Sequence, residues 1–307
     1  MRSPDLRQLP AVTLFALAVS IAGCVAGSGA TSVPSGAEPS PRPPASPSPN
    51  PSASPSAGPG ASLLFRVEWE GGFVAPSALI GRLPIVSVYA DGRVITQGPQ
   101  IEIYPGPILP NLQVRRISQT AIDRLVSLAR ERELLRDASY DYPGIADATT
   151  TVLTLVVDGT TYTQKAYALA EAADVDATLL PADREGRAAI RAFIDALENV
   201  PSSEVTSPDE PYVALAYRLF VAPAEAVPAD PNMVQAPVDW PLPSDLATIG
   251  TAWPNGGSFD RCAVVDGPDA ATLRPILATA NTLTPFVSNG VRYQLIVRPL
   301  LPDEAGC

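Results

Sequence analysis

Three dipeptides govern how this chain can fold. Asp91-Gly92, Asp158-Gly159 and Asn289-Gly290 each stand between runs rich in β-branched and aromatic residues. An Asp-Gly or Asn-Gly pair tolerates positive φ at two successive positions. A type I′ turn requires this, and it joins antiparallel strands. The flanking runs are 83–90 with 93–96, 150–157 with 160–169, and the two halves of 286–298. Residues 63–70, LLFRVEWE, read as an opening strand ended by Gly71-Gly72, and 212–220 as a later strand.

Helical patterns separate these strands. Ser118 is an N-cap, and Ile117 and Ile122 have the spacing of a hydrophobic staple. Ile122, Leu125, Val126 and Ala129 then form one apolar stripe, with Arg124, Arg130, Glu131 and Arg132 toward water. A second helix is expected over about 183–198 on Ile190, Phe193, Ile194 and Leu197. A third follows Asp266 on Leu273, Ile276, Leu277 and Ala280, with Pro275 kinking it or marking its first turns. The expected class is α+β: antiparallel sheets built from hairpins, with helices packed on one face. The polar stretch 200–210 reads as a boundary between an α+β domain at 62–200 and a second α+β unit at 201–307, with one large sheet as the alternative. Residues 222–258 are a Pro-rich irregular connection, expected to be packed by Trp240 and Trp253.

Residues 1–23 have the layout of a secretory leader. Arg2 and Arg7 precede the apolar run 11–22, which is too short to span a bilayer as a helix. Ile21-Ala22-Gly23-Cys24 resembles the lipobox of bacterial lipoproteins. That resemblance implies cleavage before Cys24 and a diacylglycerol thioether on its sulfur. Residues 25–61 are nearly all Ser, Pro, Ala and Gly, so ordering them has nothing to offset its entropy cost. Such a tract favours extended polyproline II at about 3.1 Å per residue, a spacer of roughly 100 Å at most. The expected placement is the outer face of the cytoplasmic membrane, tethered through lipid on Cys24.

The chain has three cysteines. With Cys24 assigned to lipid, Cys262 and Cys307 remain, in a domain expected to lie in an oxidising space. A disulfide between them closes a loop of about 46 residues, worth roughly 4 kcal/mol by chain entropy. Gly71-Gly72-Phe73, Tyr89-Ala-Asp-Gly92, Tyr104-Pro-Gly-Pro107 with Leu109-Pro110, and the ending Arg298-Pro-Leu-Leu-Pro-Asp-Glu-Ala-Gly-Cys307 together resemble an uncharacterised family of exported, lipobox-anchored bacterial lipoproteins. The resemblance covers most of 65–307 and implies neither a reaction nor a ligand.

A formal charge of −11 argues against a nucleic-acid partner and against direct docking on anionic lipid. With no histidine, Ser-His-Asp and Cys-His chemistry and the commonest zinc ligand are excluded. The single lysine, Lys165, sits in no Ser-x-x-Lys pattern. No cofactor or metal is expected. The candidate binding residues are Asp137, Tyr140, Asp141, Tyr142 and Asp147 in RDASYDYPGIAD, and Tyr104 in a Pro-stiffened loop. The acidic loop has oxygen donors of the kind Ca²⁺ takes, but not EF-hand spacing. Asp174 and Asp176 form a further acidic pair. The expected function is a non-enzymatic binding module of the cell envelope with a protein or glycan partner. The alternatives are a carboxylate-dependent hydrolase of envelope carbohydrate, and an inhibitor that offers loop 104–110 to a secreted enzyme.

Overall fold

In the computed structural model, β1 (Leu63–Gly71) shows why the sequence alternates as it does. Phe65 and Val67 are fully buried under helices, while Arg66 and Glu68 point to the opposite face, the period-two consequence of a pleated strand. The structure describes residues 62–171, 178–224, 233–254 and 259–307. The leader, Cys24, the spacer, and Asp174 with Asp176 lie outside the described residues.

Eight strands form the first sheet. They are β1, β2 (Val86–Tyr89), β3 (Arg93–Gln97), β4 (Leu112–Ile117), β5 (Ala138–Tyr140), β6 (Thr149–Val157), β7 (Thr160–Tyr167) and β8 (Val205–Pro211), in the order β5-β7-β6-β1-β2-β3-β4-β8. All neighbours are antiparallel except β5 and β7. Helices α2 (Gln119–Glu131) and α3 (Pro181–Glu198) cover one face. The Ser118 hydroxyl accepts from the Ala121 amide, and Ile117 and Ile122 are both buried, as the cap and staple predict. Phe193 of α3 meets Phe65 edge-on at 5.3 Å. The stretch 200–210, read from its composition as a boundary, carries β8, which pairs with β4. Its two prolines and its acidic residues suit an edge strand, where no further ladder is wanted.

The second sheet contains β9 (Ala216–Pro223), β10 (Val238–Asp239), β11 (Thr251–Ala252), β12 (Arg261–Asp266), β13 (Phe286–Ser288) and β14 (Val291–Pro299), in the order β10-β13-β14-β9-β12-β11. Only β10 and β13 run parallel. Helix α4 (Gly267–Leu277) buries Ala270, Leu273 and Leu277 against one face and carries Pro275 inside its last turn. Trp240 packs edge-on against Phe286 at 6.2 Å and donates its indole N–H to the Ser244 carbonyl. Trp253 packs against Phe220 on the other face.

The turns divide two to one. Asp158-Gly159 and Asn289-Gly290 both have positive φ at the two central positions, as a type I′ turn requires. Asp91-Gly92 does not: only Gly92 is positive, at φ 84, and Val88 opposite Val94 leaves room for a three-residue loop after Tyr89. The Gly92 amide donates to the Tyr89 carbonyl, making a type I turn with a left-handed glycine. Any Cβ at Gly92 would collide with the Ile117 carbonyl of β4, which explains the glycine better than turn type does.

The final residues run between the sheets' helix-free faces. Leu301 packs with Tyr89, Ile95 and Leu112 of the first sheet. Asp303 accepts from Arg66 and from the Tyr89 hydroxyl, both at 2.7 Å. Glu304 accepts two bonds from Arg298 of β14, each 2.6 Å, and Arg298 also donates to the Arg82 carbonyl. Arg218 of β9 donates to the carbonyls of Ala305 and Gly306. Cys307 reaches Cys262 of β12 at disulfide distance, with Cα atoms 5.9 Å apart. This C-terminal strap ties both sheets into one body.

Candidate functional site

The acidic loop is tied into the fold at several points. Asp137 accepts from the Thr163 amide at 2.8 Å, next to where β5 joins β7. Asp141 accepts from the amide of its neighbour Tyr142. Asp147 has a left-handed backbone, φ 60, and its carbonyl accepts from Phe73 N. Tyr140 is buried and its hydroxyl accepts from Arg136. Tyr142 lies under the guanidinium of buried Arg187, 5.4 Å from the ring centre. These residues therefore turn, pair and pack. Among the described residues, no group of three or more His, Cys, Asp or Glu is placed to hold a metal ion.

Tyr140 yields a prediction. A methyl group at Gly186 of α3 would fall inside the Tyr140 ring. Gly186→Ala forces the ring or the helix to move and is expected to lower stability by about 1–3 kcal/mol, an overpacking cost, although alanine is the better helix former. Urea unfolding followed by circular dichroism checks it. A gain in stability would show that helix propensity dominates.

Tyr104 belongs to a different site. Loop 99–110 docks on the connection between α4 and β13: the Ile108 amide donates to the Ala280 carbonyl at 3.1 Å and the Thr282 amide to the Gly106 carbonyl at 2.8 Å. Gln294 of β14 donates to the Thr282 carbonyl, and Asn281 to Gln235 at 2.7 Å. Beside this rim is a cleft of about 550 Å³, lined by Ser77 and Ala78 of α1 (Pro76–Ile80), Ile108, Ala222, Pro223, Phe259, Thr282 and β14 residues 294–297. Among the described residues, none that lines the cleft is ionisable. Two segments that border the cleft carry exposed apolar side chains: Phe73, 88% exposed, and Leu79 on one, Ile101, Ile103 and Tyr104, 69% exposed, on the other. Tyr104 is exposed on this loop, as a presenting side chain would be, but does not itself line the cleft. Ser77, Thr282 and Gln294 were not legible in the sequence, because the segments that meet here are distant in sequence and carry no motif.

A second concavity, about 330 Å³, is lined by Glu68, Glu70, Leu79 and Arg82 among others. Glu70 is paired with Lys165 at 2.7 Å. Burial pushes the Glu68 carboxyl above the usual range; Arg66 opposes this, and Glu70 and Glu304 add to it. A carboxyl whose folded pKa is raised resists ionisation in the fold, so its charge subtracts stability at neutral pH and the penalty disappears as pH falls. Glu68→Gln is therefore expected to raise stability at pH 7 by less than about 1 kcal/mol, given solvent screening. It should leave stability unchanged near pH 3.5. Thermal melts at the two pH values check this, and a loss at pH 7 would contradict it.

No family model matches the chain, and no curated protein or solved structure matches it either. Among the described residues no helix is long and apolar enough to cross a membrane.

Proposed function

We propose that this is a lipid-anchored binding protein of the cell envelope, tethered through Cys24 and exported, with the cleft beside loop 99–110 as its binding site. The observation that carries the reading is the cleft itself. It is concave, its described lining is uncharged, and the two segments that contribute Ser77–Ala78 and Ile108 also carry exposed apolar and aromatic side chains. Ligand sites are concavities of this size, with a few placed polar groups among apolar ones. Chemistry on a nucleophile has little to draw on, since the chain lacks histidine and Lys165 is engaged with Glu70.

The test uses the full chain in cells. Cys24→Ala should move the protein from the membrane fraction to the soluble exported fraction, because two acyl chains supply the anchor. Ala78→Trp places an indole at the cleft mouth on an exposed helix position and should abolish crosslinked capture of the partner while leaving the melting temperature within about 1 °C, as for a surface substitution. Capture that survives Ala78→Trp would place binding elsewhere.

A second reading, a carboxylate-dependent hydrolase of envelope carbohydrate, is favoured by one observation. Glu68, whose carboxyl burial holds above the usual range, lines the same concavity as a second carboxylate, Glu70, so two acidic groups stand side by side there. Turnover of an envelope polysaccharide that is lost in Glu68→Gln and Glu70→Gln, with the fold intact, would establish it.

A further inference from the structure

We infer that the cleft takes an uncharged glycan. This inference rests on the binding reading above and gives it a substrate class.

Charge comes first. The chain carries −11 overall, yet every described residue lining the cleft is neutral. A charged ligand seated there would lose its hydration without meeting a counter-charge, which costs several kcal/mol. An anionic polymer would also meet the repulsion of the acidic body. The occupant that fits is neutral.

Polarity comes second. Hydroxyls from Ser77 and Thr282 and the amide of Gln294 are spaced among Ala78, Ile108, Ala222, Phe259 and Ile296. A fatty-acyl chain would offer no partner to the Ser77 and Thr282 hydroxyls, at a cost of about 1–3 kcal/mol for each one buried dry. A sugar ring offers an apolar C–H face and an edge of hydroxyls, so it uses both parts of such a lining. Tyr104, exposed on the same loop as the lining residue Ile108, would add an aromatic face with a phenolic edge. It sits two residues before Gly106, whose carbonyl is fixed to Thr282 on the cleft wall.

Preorganisation comes third. Thr282 is bonded to Gly106 and to Gln294, and its neighbour Asn281 to Gln235, so this side of the cleft is braced before anything binds.

Affinity electrophoresis of the exported domain tests the inference, with the disulfide intact. The gels contain dissolved mannan, arabinogalactan or a neutral glucan, and an anionic alginate serves as comparison. At least one neutral polymer should retard the wild type, and alginate should not. Tyr104→Ala should reduce the retardation at least tenfold in apparent affinity, and Ala78→Trp should abolish it. Raising NaCl from 50 to 500 mM should leave it unchanged, because no ion pair is involved. Absence of retardation by all three neutral polymers, retention on alginate, or retardation indifferent to both substitutions would overturn the inference. If cell-based capture of a protein still depends on Ala78 while no glycan binds, the binding reading stands and the glycan assignment falls.

Discussion

Replacing Arg298 with alanine is expected to lower stability by roughly 3–5 kcal/mol, the cost of leaving a buried carboxylate without its partner. Arg298 is 8% exposed and Glu304 13%, and the two form a fork with both bonds at 2.6 Å. Lysine cannot reproduce that fork and should rescue only part of the loss. The effect reaches beyond the pair because Glu304 also accepts from the Leu301 amide and lies 4.0 Å from Arg66. For a domain of this size, the melting temperature should fall by roughly 10 °C. The pH dependence has a definite sign. Burial alone would push the Glu304 carboxyl up, but Arg298, the Leu301 amide and Arg66 more than reverse this and hold it below the usual carboxylate range. Its contribution is therefore full above pH 4.5 and is lost as pH falls through the depressed value. Glu304→Gln should flatten that acid arm. A loss below 1 kcal/mol in Arg298→Ala, measured by denaturant unfolding at pH 7, would mean that water already screens the pair.

Removal of the Cys262–Cys307 link should cost about 4 kcal/mol, the chain-entropy value for a loop of this length. The double variant Cys262→Ala with Cys307→Ala is the cleaner test, since it leaves no free thiol. Cys262 is fully buried on β12, whereas Cys307 is exposed, so the bond ties an exposed residue to a buried strand. Without it, the Arg218 bonds to Ala305 and Gly306 hold the last turn alone. The expected signature is regional as well as global: faster amide exchange over 303–307 and across the Arg66–Tyr89–Asp303 contacts, with α2 and α3 still protected. Equal acceleration throughout would show that the strap is not a separable brace. The Tyr212 hydroxyl, which donates to the Leu300 carbonyl at 2.9 Å, offers a second probe; burial pushes its pKa up to about 12, so it should resist alkaline ionisation until the strap loosens.

Local chemistry was legible wherever the determinants lay within a few residues of each other. Ser118, the stripe from Ile122 to Ala129 and the Asn289-Gly290 turn appear in the fold as their spacing requires. The α+β class followed from those hairpins and helices. Sheet membership did not. β8 reads as a linker because Pro208 and Pro211 weaken any strand signal, and only the pairing with β4 rescues it. Helix α1, five residues long and without a buried side chain, has no periodicity to detect. The acidic residues of 137–147 looked like a loop site because carboxylates and aromatics are interleaved there. Sequence could not show that Tyr140 would fill the space left by Gly186, or that Asp137 would cap a strand edge. The cleft was invisible for a similar reason: its walls come from 77–78, 108, 222–223, 259, 282 and 294–297, which only the folded chain brings together.

Site-specific photocrosslinking in living cells tests the central claim most directly. A photoreactive amino acid is placed at Ser77, on the cleft mouth, and in a separate strain at Thr161, on the exposed end of β7. The account predicts a discrete adduct from position 77 that disappears in Cys24→Ala cells, and none from position 161. Equal labelling from both positions, or no adduct from the cleft in membrane-anchored protein, would contradict it.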